Sequence, residues 1–169
     1  PELWRLWYWS GMVKSYNPGE IYDAIDDLET ALDINPNHFG TKLFLIAKHL
    51  QFGGWGNLLP AEEIDLEYIK PMVDDVEQNH NENSYTHVVV GNYYRTLSQF
   101  DKAIESYNKL ENFQDQGVRN LYTANHYRAL ANTFKGDFSA AEEFFRKNVE
   151  LGNQFGAYTW LPQMFLFDN

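Results

Sequence analysis

One spacing of apolar residues occurs four times along this chain, and it limits the possible folds more than any other feature. It reads Ile21-x2-Ala24-x3-Leu28, Leu66-x2-Ile69-x3-Val73, Phe100-x2-Ala103-x3-Tyr107 and Phe138-x2-Ala141-x3-Phe145. Steps of three and four put the three side chains of each copy on one helical stripe. A further apolar residue follows in the first three copies, at Ala31, Val76 and Leu110, whereas the fourth has Asn148. Each copy closes on turn-forming residues: Asn35-Pro36-Asn37, Asn79-His80-Asn81, Asp115-Gln116-Gly117 and Gly152-Asn153. One amphipathic helix cannot bury its apolar face alone, so a repeated one predicts stacked helical units sharing a continuous core.

Upstream of each copy lies a second helical segment. The clearest is Ser84–Leu97, SYTHVVVGNYYRTL, which carries His87-x2-Val90-Gly91-x2-Tyr94 ahead of Ala103-x3-Tyr107. A related element, Leu43-x2-Ile46-Ala47-x2-Leu50, has alanine as its small residue. Only Gly or Ala lets two helices approach closely at such a crossing. The first copy continues as Ala24-x3-Leu28-x2-Ala31-x4-Pro36.

In these elements the chain resembles a tetratricopeptide repeat array over essentially its whole length. The resemblance implies an all-α, right-handed superhelical solenoid of antiparallel helix pairs. Four pairs are expected, at 3–16 with 20–34, 39–52 with 66–78, 84–97 with 100–112, and 119–134 with 138–150. Residues 155–167 would cap the stack or begin a fifth pair, and the whole is read as one repeat domain. Leu130-Ala131-x2-Phe134 sits two residues too close to Phe138 to repeat the pattern of Ser84–Leu97. The helix at 119–134 is therefore expected to be irregular or differently registered.

Successive central residues, Ala24, Ile69, Ala103 and Ala141, are 45, 34 and 38 apart. The long first interval falls between the paired helices around QFGGWGNLLPAEE, residues 51–63. That glycine-rich stretch has neither the preceding strand nor the Gly-Lys-Ser/Thr of a phosphate-binding loop. It reads as an enlarged turn in which Gly53, Gly54 and Gly56 supply unusual backbone angles. Trp55, Leu58 and Leu59 are expected to pack against the neighbouring helices. The run NPGE-IYDAIDDLETALDINPNH followed by this loop is similar to repeat arrays at the C-terminus of bacterial adenylate cyclases and of winged-helix transcriptional activators. That likeness implies a regulatory or sensory appendage of a larger bacterial signalling protein.

Composition removes several alternatives. The chain has 169 residues, 44% hydrophobic and 17% aromatic, which excludes a disordered segment. No apolar run is long enough to span a bilayer. There are no cysteines, which removes disulfides, thiolate zinc sites and thiol nucleophiles while leaving the compartment open. The formal charge is −11, and the 13 Lys and Arg do not cluster, so no direct nucleic-acid binding is expected of this segment. The chain begins at Pro1 and is read as a piece of a longer one.

No metal or cofactor is expected. His38, His49, His80, His87 and His126 lack metal-ligand spacing, and His87 belongs to the packing stripe. Asp74-Asp75-x-Glu77-x-Asn79-x-Asn81-x-Asn83 lacks the glycine and closing glutamate of a calcium loop, so a solvated helix end is the better reading. No order of Ser, His and Asp suggests a nucleophile. Tyr94, Phe100, Tyr107, Phe134, Phe138 and Phe145 fall on the repeat stripe and are read as core. Trp9, in the N-terminal LWRLWYW, lies off the face shared by Trp4, Trp7 and Tyr8 and is read as packing beneath a preceding repeat.

In arrays of the kind this chain resembles, the first helix of each pair lines a concave groove. Off the packing stripe, the residues at helical steps are Thr41, Phe44, Lys48 and Gln51, then Tyr85, Val88, Asn92 and Arg95, then Asn125, Arg128 and Asn132. Arg and Lys there could hold carboxylates and asparagine a peptide backbone. The expected function is a non-catalytic module binding a protein or peptide segment. The alternatives are a spacer, dimerisation or signal-transmitting domain, or an enzyme with a helical body, for which no converging acids and bases are visible. The apolar tail 155–169 is expected to dock on 138–150 or to mediate self-association.

Overall fold

The computed structural model describes residues 2–50, 59–113 and 118–152. The expected burial of Trp55, the groove position Gln51 and the fate of the tail 155–169 lie outside the described residues. Those residues form α-helices and short 3-10 turns, with no strand among them. The helices are α1 Leu3–Lys14, α2 Ile21–Ile34, α3 Phe39–His49, α4 Leu66–Asn79, α5 Ser84–Thr96, α6 Phe100–Asn108, α7 Val118–Lys135 and α8 Phe138–Glu150. A 3-10 turn at Lys109–Asn112 extends α6. The chain divides into two compact units, Pro1–Val89 and Val90–Asn169, and the division falls within α5.

Three of the helices start where a polar side chain accepts from a free backbone N–H group, whereas α1, α2 and α6 start without a side-chain cap. Asp65 accepts from Tyr68 N ahead of α4, Asp137 from Ala140 N ahead of α8, and His38 Nδ1 from Thr41 N ahead of α3. Within the first unit α1 packs on α2, α2 on α3 and α3 on α4. Its buried core contains Ala24, Leu28 and Ala31 from α2, Leu45, Ile46 and Ala47 from α3, and Ile69, Val73 and Val76 from α4. Gly11 is required where α1 crosses α2, because a Cβ there would come within 2.8 Å of both the Ala24 carbonyl oxygen and Leu28 Cγ. Lys42 pairs with Asp75 at 2.5 Å, tying α3 to α4. Asp75 also accepts from Asn79, so the acidic run 74–83 is engaged in helix-end contacts. Among the described residues no cluster could hold a metal ion.

In the second unit α6 packs on α7 and α7 on α8. Ala103, Tyr107 and Ala131 form one buried cluster with Tyr94, Ile104 and Tyr127 against it. Ala129, Leu130, Ala141 and Phe145 form another. Asn148, the polar departure at the end of the fourth stripe, is buried and donates from Nδ2 to the Tyr122 carbonyl at 3.1 Å. Its place in the core is therefore stabilised by a backbone bond to the facing helix.

α7 is one continuous helix, and the register question is settled by its end. Ser98 (φ 58°) and Gly136 (φ 87°) are both left-handed, each five residues before the alanine of the next helix, Ala103 or Ala141. Gln99 N donates to Tyr94 O and Asp137 N to Asn132 O; Ser98 N donates to Arg95 O and Gly136 N to Thr133 O. Asn132 thus corresponds to Tyr94, and the residue matching Gly91 is Ala129 rather than Ala131. Phe134 lies two positions beyond Asn132, which is why it is 55% exposed instead of contributing to the core. Gly19 (φ 85°) stands at the same place before Ala24. Serine is the only non-glycine of the three. Ser98→Gly should therefore raise stability by about 0.5–1 kcal/mol by removing the left-handed penalty. Urea unfolding of the variant checks this, and a loss of stability would contradict the turn geometry.

Candidate partner-binding site

The close approach of α5 and α6 creates the surroundings of Arg95. Gly91 lies against the Tyr107 ring, where a Cβ would come within 2.2 Å of Cε1. With the helices this close, the fully buried Tyr107 hydroxyl donates to Asn92 Oδ1 at 3.3 Å. Arg95, one turn further along α5, donates to the same oxygen from Nε at 3.3 Å and from Nη2 at 2.9 Å. Its guanidinium carbon lies 5.7 Å from the centre of the Phe134 ring on α7. Phe134 is thus exposed yet engaged, as a platform rather than a core residue.

Arg95 is half-buried and has no ion-pair partner among the described residues. Lys102, Lys109 and Arg119 likewise meet no carboxylate among the described residues; what sets Arg95 apart is the fork to Asn92 Oδ1 and the Phe134 ring behind it. Its charge is felt nearby. Burial pushes the Tyr127 hydroxyl up to about 12 and raises Tyr107 as well, and in both cases Arg95 partly opposes the rise. Burial lowers the His126 pKa and Arg95 lowers it further. A guanidinium held in a fork by one oxygen and backed by a ring is fixed in orientation, and its unused N–H groups suit a planar carboxylate.

His126 gives this site a pH signature. A histidine whose folded pKa lies below its unfolded value is neutral in the fold, so the unfolded chain takes up its proton first. Stability should hold above about pH 6.5 and fall as pH drops below it. His38 and His49 are displaced downward too, chiefly by burial, and act in the same direction. The specific test is the His126 resonance: Arg95→Glu should raise its titration midpoint. An unmoved midpoint would contradict the placement of Arg95.

The other expected groove residues lie in different surroundings. In the first unit Thr41, Phe44, Lys48 and Val88 are buried, and Tyr85 is half-buried. Lys48 is fully buried, with its ammonium 5.7 Å from the Phe44 ring centre and its pKa lowered to about 8 by desolvation. A solvent-facing charge there is therefore corrected to an interior one. On α7 the corrected register puts Asn125, Arg128 and Asn132 on the packing stripe, at the places of His87, Val90 and Tyr94. All three are buried. Arg128 pairs with Glu111 at 2.5 Å and stacks over Phe144, while its Nε has no hydrogen-bond partner. Asn132 Nδ2 donates to the Arg128 carbonyl. Phe134 was the one participant that the pattern assigned to the wrong role; its spacing from Asp137, the cap of α8, could have marked it as outside the stripe.

Residues 85–114, which include this crossing, match the family model of the tetratricopeptide repeat. With the helix pairs described above, the match defines the fold class as all-α and tetratricopeptide-like. Repeats of this kind generally serve as scaffolds for protein–protein interaction and are typically non-catalytic. No curated protein and no solved structure matched the chain. No helix among the described residues is long and apolar enough to cross a membrane.

Proposed function

We propose that this chain is a non-catalytic binding module for a protein or peptide segment, and that the segment presents a carboxylate to Arg95. The observation that carries the reading is the Arg95 guanidinium: oriented by Asn92, backed by Phe134 and without a carboxylate partner among the described residues. Asn92 and Tyr107 position it. The module serves as the regulatory or sensory part of a larger bacterial signalling or transcription protein, a reading supported by the 17–38 run and the glycine-rich stretch after it.

Fluorescence anisotropy with labelled Asp- and Glu-rich peptides tests the proposal. A subset should bind, and Arg95→Glu should abolish that binding. The substitution also removes two hydrogen bonds to Asn92 Oδ1 and the contact with Phe134, so it should cost about 1–3 kcal/mol of stability. Unchanged helical circular dichroism at the assay temperature shows that the variant is still folded. Binding unchanged in Arg95→Glu would remove the proposed site. Lys48→Glu is unsuitable as a companion, because it would bury a carboxylate.

A further inference from the structure

The left-handed turns that fix the register also place α1. Gly19 corresponds to Ser98, so Leu6, Trp9, Val13 and Tyr16 correspond to Tyr85, Val88, Asn92 and Arg95. The first three lie on α1 and Tyr16 in the turn that follows it. Their surroundings differ sharply from those of Val88 and Asn92, which are buried. Leu6 is 68% exposed, Trp9 59%, Val13 63% and Tyr16 56%. The opposite face of α1 is engaged, through Gly11 on α2 and through the Trp4 and Tyr8 rings, which meet His38 tilted and edge-on. The exposed stripe is apolar from end to end, and its steps of three, four and three are those of a coiled-coil seam. The basic groups beside it already have partners: Arg5 with Glu2, and Lys14 with Asp27.

We propose that this stripe is a homodimer interface, in which α1 pairs antiparallel with α1 of a second copy. An isologous pairing sets Leu6 against Tyr16 of the partner copy and Trp9 against its Val13, so each large side chain meets a smaller or flatter one. The four side chains offer roughly 500 Å² per copy and about 1,000 Å² together, the lower threshold for a biological interface and the size of a weak, reversible one. Stems of Glu2, Arg5 and Met12 at the margins add to it. No charge lies within the seam, so association buries no unpaired ion. The net charge of −11 on each copy opposes approach, and added salt should tighten the dimer by screening it.

Sedimentation equilibrium of the whole chain from low to high micromolar concentration tests the proposal. A reversible dimer that tightens with salt is expected. Trp9→Lys and Val13→Glu should each be monomeric with unchanged helical circular dichroism, and their mixture should restore a dimer by pairing Lys with Glu across the antiparallel seam. A wild-type monomer throughout would overturn the proposal. So would a dimer indifferent to both substitutions, or one lost only on removal of residues 153–169, which would assign self-association to the tail. Peptide binding at Arg95 is read separately, so failure of either proposal leaves the other standing.

Discussion

Tyr107→Ala is expected to lower the unfolding free energy by about 3–5 kcal/mol, the range for truncation of a large buried aromatic. Tyr107 is fully buried, packs with Ala103 and Ala131, and stacks on Tyr127 with ring centres 5.2 Å apart. Its hydroxyl is one of the donors to Asn92 Oδ1. Two contributions are therefore lost together, and Tyr107→Phe separates them. The phenylalanine keeps the ring and should cost only about 1 kcal/mol, the net value of a typical hydrogen bond. Because Asn92 orients Arg95, Tyr107→Phe should weaken peptide binding by more than its stability loss explains. Urea unfolding of the two variants checks the ordering. A loss below about 1 kcal/mol for Tyr107→Ala would mean that the second unit lacks the packing described.

Gly91→Ala should cost about 2–3 kcal/mol, the upper part of the range for overpacking. The sign is the informative part. Glycine to alanine within a helix ordinarily stabilises by about 0.5–1 kcal/mol. Here the new methyl would come within 2.2 Å of Tyr107 Cε1 and 2.6 Å of Cδ1. The ring is held between Ala103, Ala131 and Tyr127 and has little room to swing away. A raised melting temperature for Gly91→Ala would show that α5 and α6 do not cross at that point.

Much of the fold was legible because its strongest constraint is periodic. Ala24, Ile69, Ala103 and Ala141, marked by spacing alone, are all fully buried, as are Leu28, Tyr107 and Phe145 on the same stripes. Gly91 could be singled out because a glycine inside a helical pattern needs a reason, and the facing Tyr107 is that reason. α7 was misregistered because its true small residue, Ala129, is accompanied by Asn125, Arg128 and Asn132. Those polar residues occupy places that are apolar or aromatic in other helices, and a pattern of apolar spacing cannot register them. Arg128 is compensated by Glu111 and Phe144, which only the fold brings near, while Asn132 donates to the Arg128 carbonyl one turn back in its own helix. Lys48 was misplaced for the same reason, since lysine in a sequence reads as solvated until its neighbours are known. Arg95 was legible as a candidate, but its lack of a carboxylate partner among the described residues is a property of the folded chain.

The central claim is that Arg95 on α5 is the anchor for an acidic partner segment. Two-dimensional NMR of the isotopically labelled chain, titrated with the tightest acidic peptide from the anisotropy series, tests it most directly. The account predicts saturable shifts at the Arg95 side-chain Nε–H and the Asn92 side-chain amide, with a His126 ring response, all absent in Arg95→Glu. Saturable shifts that leave Arg95 and Asn92 unmoved, or that persist in Arg95→Glu, would contradict it.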